Sequence, residues 1–223
     1  MSDRVGFAGM PDEGLAFLED LEERNTKEFF DANKQVFREQ VLAPFTALLE
    51  AASARLRRTV PGLGQPKVFR IYRDLRFSKD KTPYKTSMAG RVTHPASGGI
   101  EASYYVSVGP AGMYAGGGRY HWDRPELERL RAAVADPGTG EELARILRRA
   151  TRTGMESWLD PLQRMPRSYP ADHPRAELLR ARSLTLGRRH ERGPWLLGEE
   201  LLDRLVEDWR ALVPLNRWLE RVP

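Results

Sequence analysis

The chain has 223 residues, of which 40% are hydrophobic and 30% are charged, and these proportions are typical of a folded globular protein. It contains no cysteine, which excludes disulfide bonds and thiolate chemistry, and no apolar stretch approaches the roughly 20 residues that cross a bilayer. The first residues lack the apolar stretch of a secretory signal, so we expect no membrane association and a cytoplasmic location.

Residues 1–60 carry helical patterns. Pro11 suits the first position of a helix, and Asn25 is placed to cap a second helix in a capping box that ends at Glu28. Pro44 begins a further helix or kinks an existing one. Apolar residues recur at helical spacing and predict a buried stripe: Leu15, Leu18, Leu21, Phe30, Phe37, Val41, Phe45, Leu48 and Ala52.

Residues 65–120 carry strand patterns. A loop with Gly98–Gly99 interrupts them, and the residues Gly109, Pro110, Ala111 and Gly112 form a turn sequence typical of a hairpin. Because no helical pattern separates the strands, they favour an antiparallel sheet over a doubly wound one. Four strands are predicted: Val68–Tyr72, Met88–Thr93, Glu101–Val108 and Met113–Arg119.

Residues 121–223 return mainly to helical patterns. Pro214 is expected to break the last helix. The predicted elements are helices from Asp123 to Ala135, from Thr139 to Ala150, from Pro174 and from Glu199 to Leu219, with a short strand from Ser183 to Gly187.

These patterns predict an α+β fold, with a central antiparallel sheet and N-terminal and C-terminal helices packed on it. We expect one domain over residues 1–223, helical over 1–60, sheet-rich over 65–120 and helical over 121–223.

The net charge of +5 is concentrated in residues 67–85, which we call the basic segment. This segment holds seven basic and two acidic residues, a difference that equals the whole excess. Four of the six lysines lie in it, and none follows Lys85. A lysine ammonium is a compact, mobile charge that arginine does not replace, which favours a specific role. The alternative is an accident of composition in a solvated loop.

The run from Arg70 to Thr86 resembles the bacterial domain-of-unknown-function family numbered 2461. Supporting stretches extend over nearly the whole chain, at Phe7–Leu21, Asn25–Lys34, Tyr104–Gly118 and Pro166–Arg182. Phe29 stands where we expect tryptophan, a change that keeps an aromatic ring. The resemblance implies a single-domain α+β protein and implies no activity.

The basic segment is the predicted site, and an anion is the predicted ligand. Convergent guanidinium groups grip a phosphate or carboxylate in two-pronged hydrogen bonds, and lysines add mobile charge. Tyr84 is a candidate stacking wall or proton donor, and Tyr72 and Phe77 could also stack on a base or sugar. The anion-binding residues would be Arg70, Arg73, Arg76, Lys79, Lys81, Tyr84 and Lys85, with Asp74 and Asp80 holding the arginines. The alternative is an internal ion-pair lattice that only fixes the strand.

Other residues are candidates for a supporting role. Gly117, within a run of three glycines, would form the floor of the pocket, or else mark a bulge or a close backbone approach. Asn33 lies near an apolar helix face and must find a hydrogen-bond partner, and His121 follows the glycine-rich strand. The four histidines have no metal-ligand spacing and are expected on the surface or in loops, so no metal and no cofactor are predicted.

The sequence therefore predicts a protein that binds a phosphate-bearing or other anionic small molecule. If it is an enzyme, phosphoryl or nucleotide chemistry is the expected class, although no general base can be named. Two alternatives stay open. The first is binding of nucleic acid through the same segment, although seven basic residues provide only a small surface for contacts with phosphates. The second is an interaction module without a small ligand.

Overall fold

The computed structural model describes residues 7–76, 78–96 and 101–222. Phe77 and the predicted loop at Gly98–Gly99 lie outside the described residues. None of the helices in the described part of the chain is both long enough and apolar enough to span a membrane.

In the described part of the chain, six antiparallel strands form one sheet in the order β1-β2-β3-β4-β6-β5, which confirms the predicted central antiparallel sheet. The β3–β4 hairpin turns at Pro110 and Ala111, as the turn sequence predicts. The strands are β1 Lys67–Val68, β2 Met88–Thr93, β3 Ser103–Gly109, β4 Gly112–Arg119, β5 Glu156–Trp158 and β6 Leu184–Glu191.

Helices precede and follow the strands, which confirms the α+β class. Asp123 caps its helix with a reciprocal capping box to Glu126, so that boundary is as predicted. The helices are α1 Asp12–Glu23, α2 Lys27–Ala32, α3 Lys34–Val36, α4 Ala43–Arg57, α5 Arg124–Ala135, α6 Pro137–Arg152, α7 Ala176–Arg180 and α8 Glu200–Arg221, with a π-helical stretch at Phe37–Leu42 and a 3-10 turn at Pro194–Leu197.

One face of the sheet is covered by α4 and α8. Where α4 crosses β2, a Cβ on Gly90 would lie 2.7 Å from the Leu49 side chain. Where α8 crosses β4, a Cβ on Gly117 would lie 3.1 Å from the Leu212 side chain. Glycine at these two positions lets the helices approach the sheet closely. The opposite face alternates with this one along every strand, and we call it the open face.

Proline acts differently at the two helical positions where it was considered. Pro44 lies in the first turn of α4, directly after the π-helical stretch. This agrees with the predicted alternative in which Pro44 begins a further helix. Pro214 does not break α8, which continues to Arg221, so that prediction is wrong. Val213 and Leu215, on either side of it, are buried in the hydrophobic core, and this packing offsets the lost hydrogen bond.

Other element boundaries differ from the prediction. The first strand ends at Val68, and Tyr72 forms only an isolated bridge with Tyr84. β6 runs on to Glu191, because its whole length pairs with β4. The three-residue strand β5 was not predicted, since its residues are all exposed and show no alternation.

Candidate anion-binding sites

The basic segment is a loop between β1 and β2 whose base is closed by a short antiparallel bridge. The Arg73 amide donates to the Pro83 carbonyl at 2.9 Å, and the Lys85 amide donates to the Ile71 carbonyl at 2.8 Å. Asn25 holds the bridge from outside, because its amide group donates to the Tyr84 carbonyl and accepts from the Tyr84 amide, each at 3.0 Å. The base of the loop is therefore fixed to the connection between α1 and α2.

The side chain of Asn25 is available for these contacts because it does not cap α2. Thr26 takes that position, and its hydroxyl accepts from the Phe29 amide at 3.2 Å. The prediction placed the cap one residue too early. Asn and Thr are both good cap residues, so the sequence alone does not separate them.

Two arginines of the basic segment are paired with its two aspartates. Arg73 contacts Asp80 and Thr82, and Arg76 contacts Asp74 at 2.6 Å. The hydrogen bond from Arg73 is the main cause that lowers the pKa of Asp80 to about 2. The hydrogen bond from Arg76 likewise lowers the pKa of Asp74. These contacts match the ion-pair lattice that was the alternative to a ligand site.

The lysines of the basic segment donate to its own backbone. The Lys81 ammonium lies 3.1 Å from the Leu75 carbonyl, and the Lys85 ammonium lies 3.1 Å from the Arg70 carbonyl. Arg70 and Lys79 are exposed. A large cavity between α6 and α8 and a smaller cavity beside the β3–β4 turn are both lined by residues outside the basic segment.

Tyr84 does not provide a stacking wall for a ligand, which corrects that prediction. Its side chain is 3% exposed, and its ring stacks on Phe30 with the centroids 4.2 Å apart. Burial raises the pKa of its phenol. Tyr84 belongs to an aromatic cluster that joins the basic segment to the N-terminal helices, and this packing outweighs any exposure of the ring.

The three predicted supporting residues do not meet at the basic segment. The side-chain amide of Asn33 donates to the Phe29 carbonyl at 2.9 Å, so it provides a hydrogen-bond partner for a carbonyl group at the end of α2. Gly117 faces α8 and is not a pocket floor, because a larger residue would block the approach of that helix. His121 is exposed and stacks edge-on against Tyr120, with the ring centroids 4.6 Å apart.

Two of the histidines are buried or largely buried, which corrects the expectation of surface positions. His94 is 2% exposed and lies 2.9 Å from the Tyr104 hydroxyl and 3.3 Å from a Glu220 carboxylate oxygen. His190 lies 2.6 Å from Asp208, a buried carboxylate on α8. Both histidines lie on the sheet face that α8 covers. The spacing of histidines in the sequence does not reveal this tertiary contact.

The larger cavity, of about 780 Å³, lies between α6 and α8. We call it the arginine groove. Its floor is partly apolar, with Ile146 and Ala150 from α6 and Val213 and Pro214 from α8. Its charged lining consists of five arginines and two glutamates: Arg145, Arg149, Arg210, Arg217, Arg221, Glu142 and Glu220.

Both glutamates of the groove are already paired. Glu142 contacts Arg221 at 2.6 Å, and Glu220 contacts His94. Arg217 donates to the Thr59 carbonyl at 3.0 Å. The groove thus carries more positive than negative charge, and its carboxylates neutralise only part of it.

The other three arginines of the groove keep their guanidinium groups available. Arg145, Arg149 and Arg210 make no hydrogen bond or ion pair with any residue in the described part of the chain. All three are exposed, and Arg145 and Arg149 lie one helical turn apart. A guanidinium fork with unsatisfied donors beside a cavity is suited to a carboxylate or phosphate.

Sequence reasoning missed the groove because its cations come from two distant helices. Outside the basic segment the basic and acidic residues balance in number, which hides a local excess. A signal was present within each helix, since Arg145 and Arg149 are four residues apart and Arg210, Arg217 and Arg221 follow at intervals of seven and four. Such spacing places the side chains of each set on one helix face.

A family model described as Conserved hypothetical protein (DUF2461) matches residues 13–218, nearly the whole chain, and confirms the resemblance carried by Arg70–Thr86. Comparison with curated proteins and with solved structures gives no match. The comparisons therefore supply a family and leave the activity to be argued from the geometry.

Proposed function

We propose that this chain, which belongs to the family Conserved hypothetical protein (DUF2461), binds a phosphate-bearing or other anionic small molecule in the arginine groove. The observation that carries the proposal is the set of three guanidinium groups, on Arg145, Arg149 and Arg210, that border a large cavity and form no ion pair with a carboxylate among the described residues. Like charges held beside a low-dielectric floor repel one another, and an anion relieves that repulsion.

The floor of the groove favours a ligand that also has an apolar or aromatic part. Ligand pockets are typically apolar, with a few polar groups that set orientation. Pro214 has no amide hydrogen, so the Arg210 carbonyl lacks the donor that a helix normally supplies from four residues on. That carbonyl offers the ligand one hydrogen-bond acceptor beside the cations.

Binding, and not catalysis, is what the groove supports. Its two carboxylates are engaged by Arg221 and His94, so neither is poised to act as a general base. The basic segment stays a second predicted anion site, for which the exposed Arg70 is the residue to test.

Thermal unfolding with inorganic pyrophosphate tests the proposal. At a concentration 100 times Kd, a ligand that binds only the folded state raises Tm by about 5 °C for a chain of this size. We expect Arg145→Ser and Arg210→Ser each to reduce this rise. Arg204→Ser is the matched control, because Arg204 is also on α8 and pairs with Glu200 outside the groove.

Two results would overturn the assignment. No rise in Tm with pyrophosphate, sulfate or a nucleoside triphosphate would remove anion binding altogether. A rise that Arg70→Ser abolishes while Arg145→Ser and Arg210→Ser retain it would move the site to the basic segment.

A further inference from the structure

The open face of the sheet is lined by residues that suit stacking. Alternation places Tyr105, Tyr114 and Arg189 on it, and places their neighbours Tyr104, Met113 and His190 on the face under α8. The larger side chains of the open face, on Tyr105, Tyr114 and Arg189, are half-buried or exposed, whereas Tyr104, Val106 and Met113 of the opposite face are buried. The helices that pack on the sheet, α4 and α8, approach it through Gly90 and Gly117 of the covered face.

Aromatic rings cross the open face in a row. The ring centroids of Phe69 and Tyr105 are 6.4 Å apart, and those of Tyr105 and Tyr114 are 6.0 Å apart. Trp158 stands on the same face at the far edge, on β5, and is 58% exposed. Three of these rings come from three different strands and Phe69 directly follows β1, so the row exists only in the folded sheet.

Glycines make the surface beside Tyr114 flat. A Cβ on Gly116 would lie 2.8 Å from the Tyr114 hydroxyl oxygen, and a Cβ on Gly187 would lie 2.2 Å from it. The phenol ring therefore lies over both glycines, along the sheet, instead of standing away from it. A ring that lies along the sheet has the orientation in which a ring stacks on an unpaired base.

Cations accompany the rings. The Arg189 guanidinium lies 5.9 Å from the centroid of Tyr114, and Arg91 pairs in register with both Lys67 and Tyr105. Arg91 is held only loosely by Glu101, at 3.9 Å, and its side chain is 40% exposed. The acidic residues on or beside the face are Glu101 next to Arg91, Glu156 on β5 and Glu191 at the end of β6.

We propose that the open face binds single-stranded nucleic acid, with bases stacked on Tyr105 and Tyr114 and phosphates contacted by Lys67, Arg91 and Arg189. Stacking on aromatic side chains combined with cations along the backbone is how sheets bind unpaired strands. Between the rings the face carries glycine and hydroxyl residues such as Ser107 and Thr185, where a protein interface would need an apolar core.

This binding is independent of the proposed groove function. The open face and the arginine groove share no residue, and α8 lies between the groove and the sheet. The nucleic-acid alternative considered from the sequence used the basic segment, whereas here only Lys67 belongs to it.

Fluorescence anisotropy with end-labelled 12-mers of oligo(U) and oligo(dT) tests the proposal. We expect binding at low salt with a slope of log K against log salt of about −2, which corresponds to three phosphate contacts on a single strand. Tyr105→Ala and Tyr114→Ala should each weaken binding by about fivefold or more. Arg189→Glu, a change at an exposed position, should also weaken it without affecting folding.

Two matched controls accompany these variants. Tyr120→Ala removes a tyrosine that is 58% exposed and lies outside the six strands, and Arg167→Glu reverses an exposed arginine in the connection between β5 and α7. Both should bind like the unchanged protein, and far-ultraviolet circular dichroism checks that all variants fold.

Several outcomes would overturn the proposal. Absence of binding at 50 mM salt, equal affinity for a duplex of the same length, or affinity for free UMP equal to that for oligo(U) would each contradict it. Binding that survives both the tyrosine changes and Arg189→Glu would place the contact elsewhere on the protein.

Discussion

At the scale of single residues, Asn25 has a larger role than its exposure suggests. It joins two parts of the chain that are 59 residues apart, and it satisfies both backbone groups of the buried Tyr84. Removing its amide would leave a donor and an acceptor without partners, and such groups are costly to leave unsatisfied. Asn25 therefore fixes the base of the basic segment, together with the stacking of Tyr84 on Phe30.

We predict that Asn25→Ala lowers the free energy of unfolding by about 2 kcal/mol, because two hydrogen bonds are lost. Urea unfolding followed by circular dichroism measures this. Asn33→Ala is the matched control, since Asn33 makes a single hydrogen bond within its own helix, and it should lose less. Equal losses for the two variants would contradict the proposed role of Asn25.

A second prediction concerns the acid titration of Asp80. Its pKa in the folded protein is lowered from 3.8 to about 2, mainly by Arg73. A carboxyl group with a lowered folded pKa stabilises the protein above its unfolded pKa, and this contribution is lost as the pH falls towards 2. We expect carbon-13 NMR of the Asp80 carboxyl to give a midpoint near 2, and Arg73→Ser to return it towards 3.8. A midpoint near 4 in the unchanged protein would show that the ion pair does not persist in solution.

At the scale of elements, the contact between α8 and β4 depends on the absence of a side chain at Gly117. A Cβ there would lie 2.5 Å from the Ser103 carbonyl oxygen, closer than such atoms approach. Trp209 joins α8 to the neighbouring strand β3, since its indole donates to the Tyr105 carbonyl at 3.0 Å. The helix and the sheet are therefore packed with no room for an added methyl group.

We predict that Gly117→Ala lowers the free energy of unfolding by about 2 kcal/mol, as expected when a well-packed contact is overfilled. Gly198→Ala is the matched control, because a Cβ at Gly198 would meet no atom within 4 Å. It should leave stability nearly unchanged. Urea midpoints for both variants test the difference, and a tolerated Gly117→Ala would mean that both the Ser103 carbonyl of β3 and Leu212 of α8 lie farther from Gly117.

The contact between His94, which follows β2, and Glu220 near the end of α8 makes stability dependent on pH. Burial lowers the pKa of His94, while the contact with Glu220 opposes that shift and Arg217 adds to it. As the pH falls below about 6.5 the unfolded chain takes up a proton before the folded protein does, so stability falls. The loss is at most about 1.4 kcal/mol per pH unit for one group.

We predict that His94→Asn reduces the loss of stability between pH 7.5 and pH 5.5. Asparagine can keep one hydrogen bond to Tyr104 but cannot titrate. Unfolding free energies at the two pH values, in the variant and in the unchanged protein, provide the measurement. His173→Asn is the control, because His173 lies outside this contact. An identical pH dependence in all three proteins would contradict the role of His94.

At the scale of the whole molecule, the fold class and the order of most elements could be predicted from the sequence. β2, the β3–β4 hairpin and the Asp123 cap have local signals, namely alternation, turn residues and a capping box. The errors in element boundaries arose where tertiary contacts determine where a helix or strand ends. Packing on the sheet carries α8 through Pro214, and pairing with β4 extends β6 to Glu191.

The candidate sites were harder to predict than the fold. The basic segment is conspicuous in the sequence because its charged residues lie close together along the chain. Within it, however, Asp74 and Asp80 neutralise two of the arginines. The arginine groove was hidden because Arg149 and Arg210 lie 61 residues apart and meet only when α6 packs beside α8. Charge that is dense along the chain and charge that converges in space are different properties.

The most direct test of the account is a crystal of the protein soaked in sodium tungstate, an oxyanion that anomalous diffraction locates without ambiguity. We expect an anomalous peak in the arginine groove, within hydrogen-bond distance of the guanidinium group of Arg145, Arg149 or Arg210. Peaks only along the basic segment, or none in the groove at saturating tungstate, would contradict it.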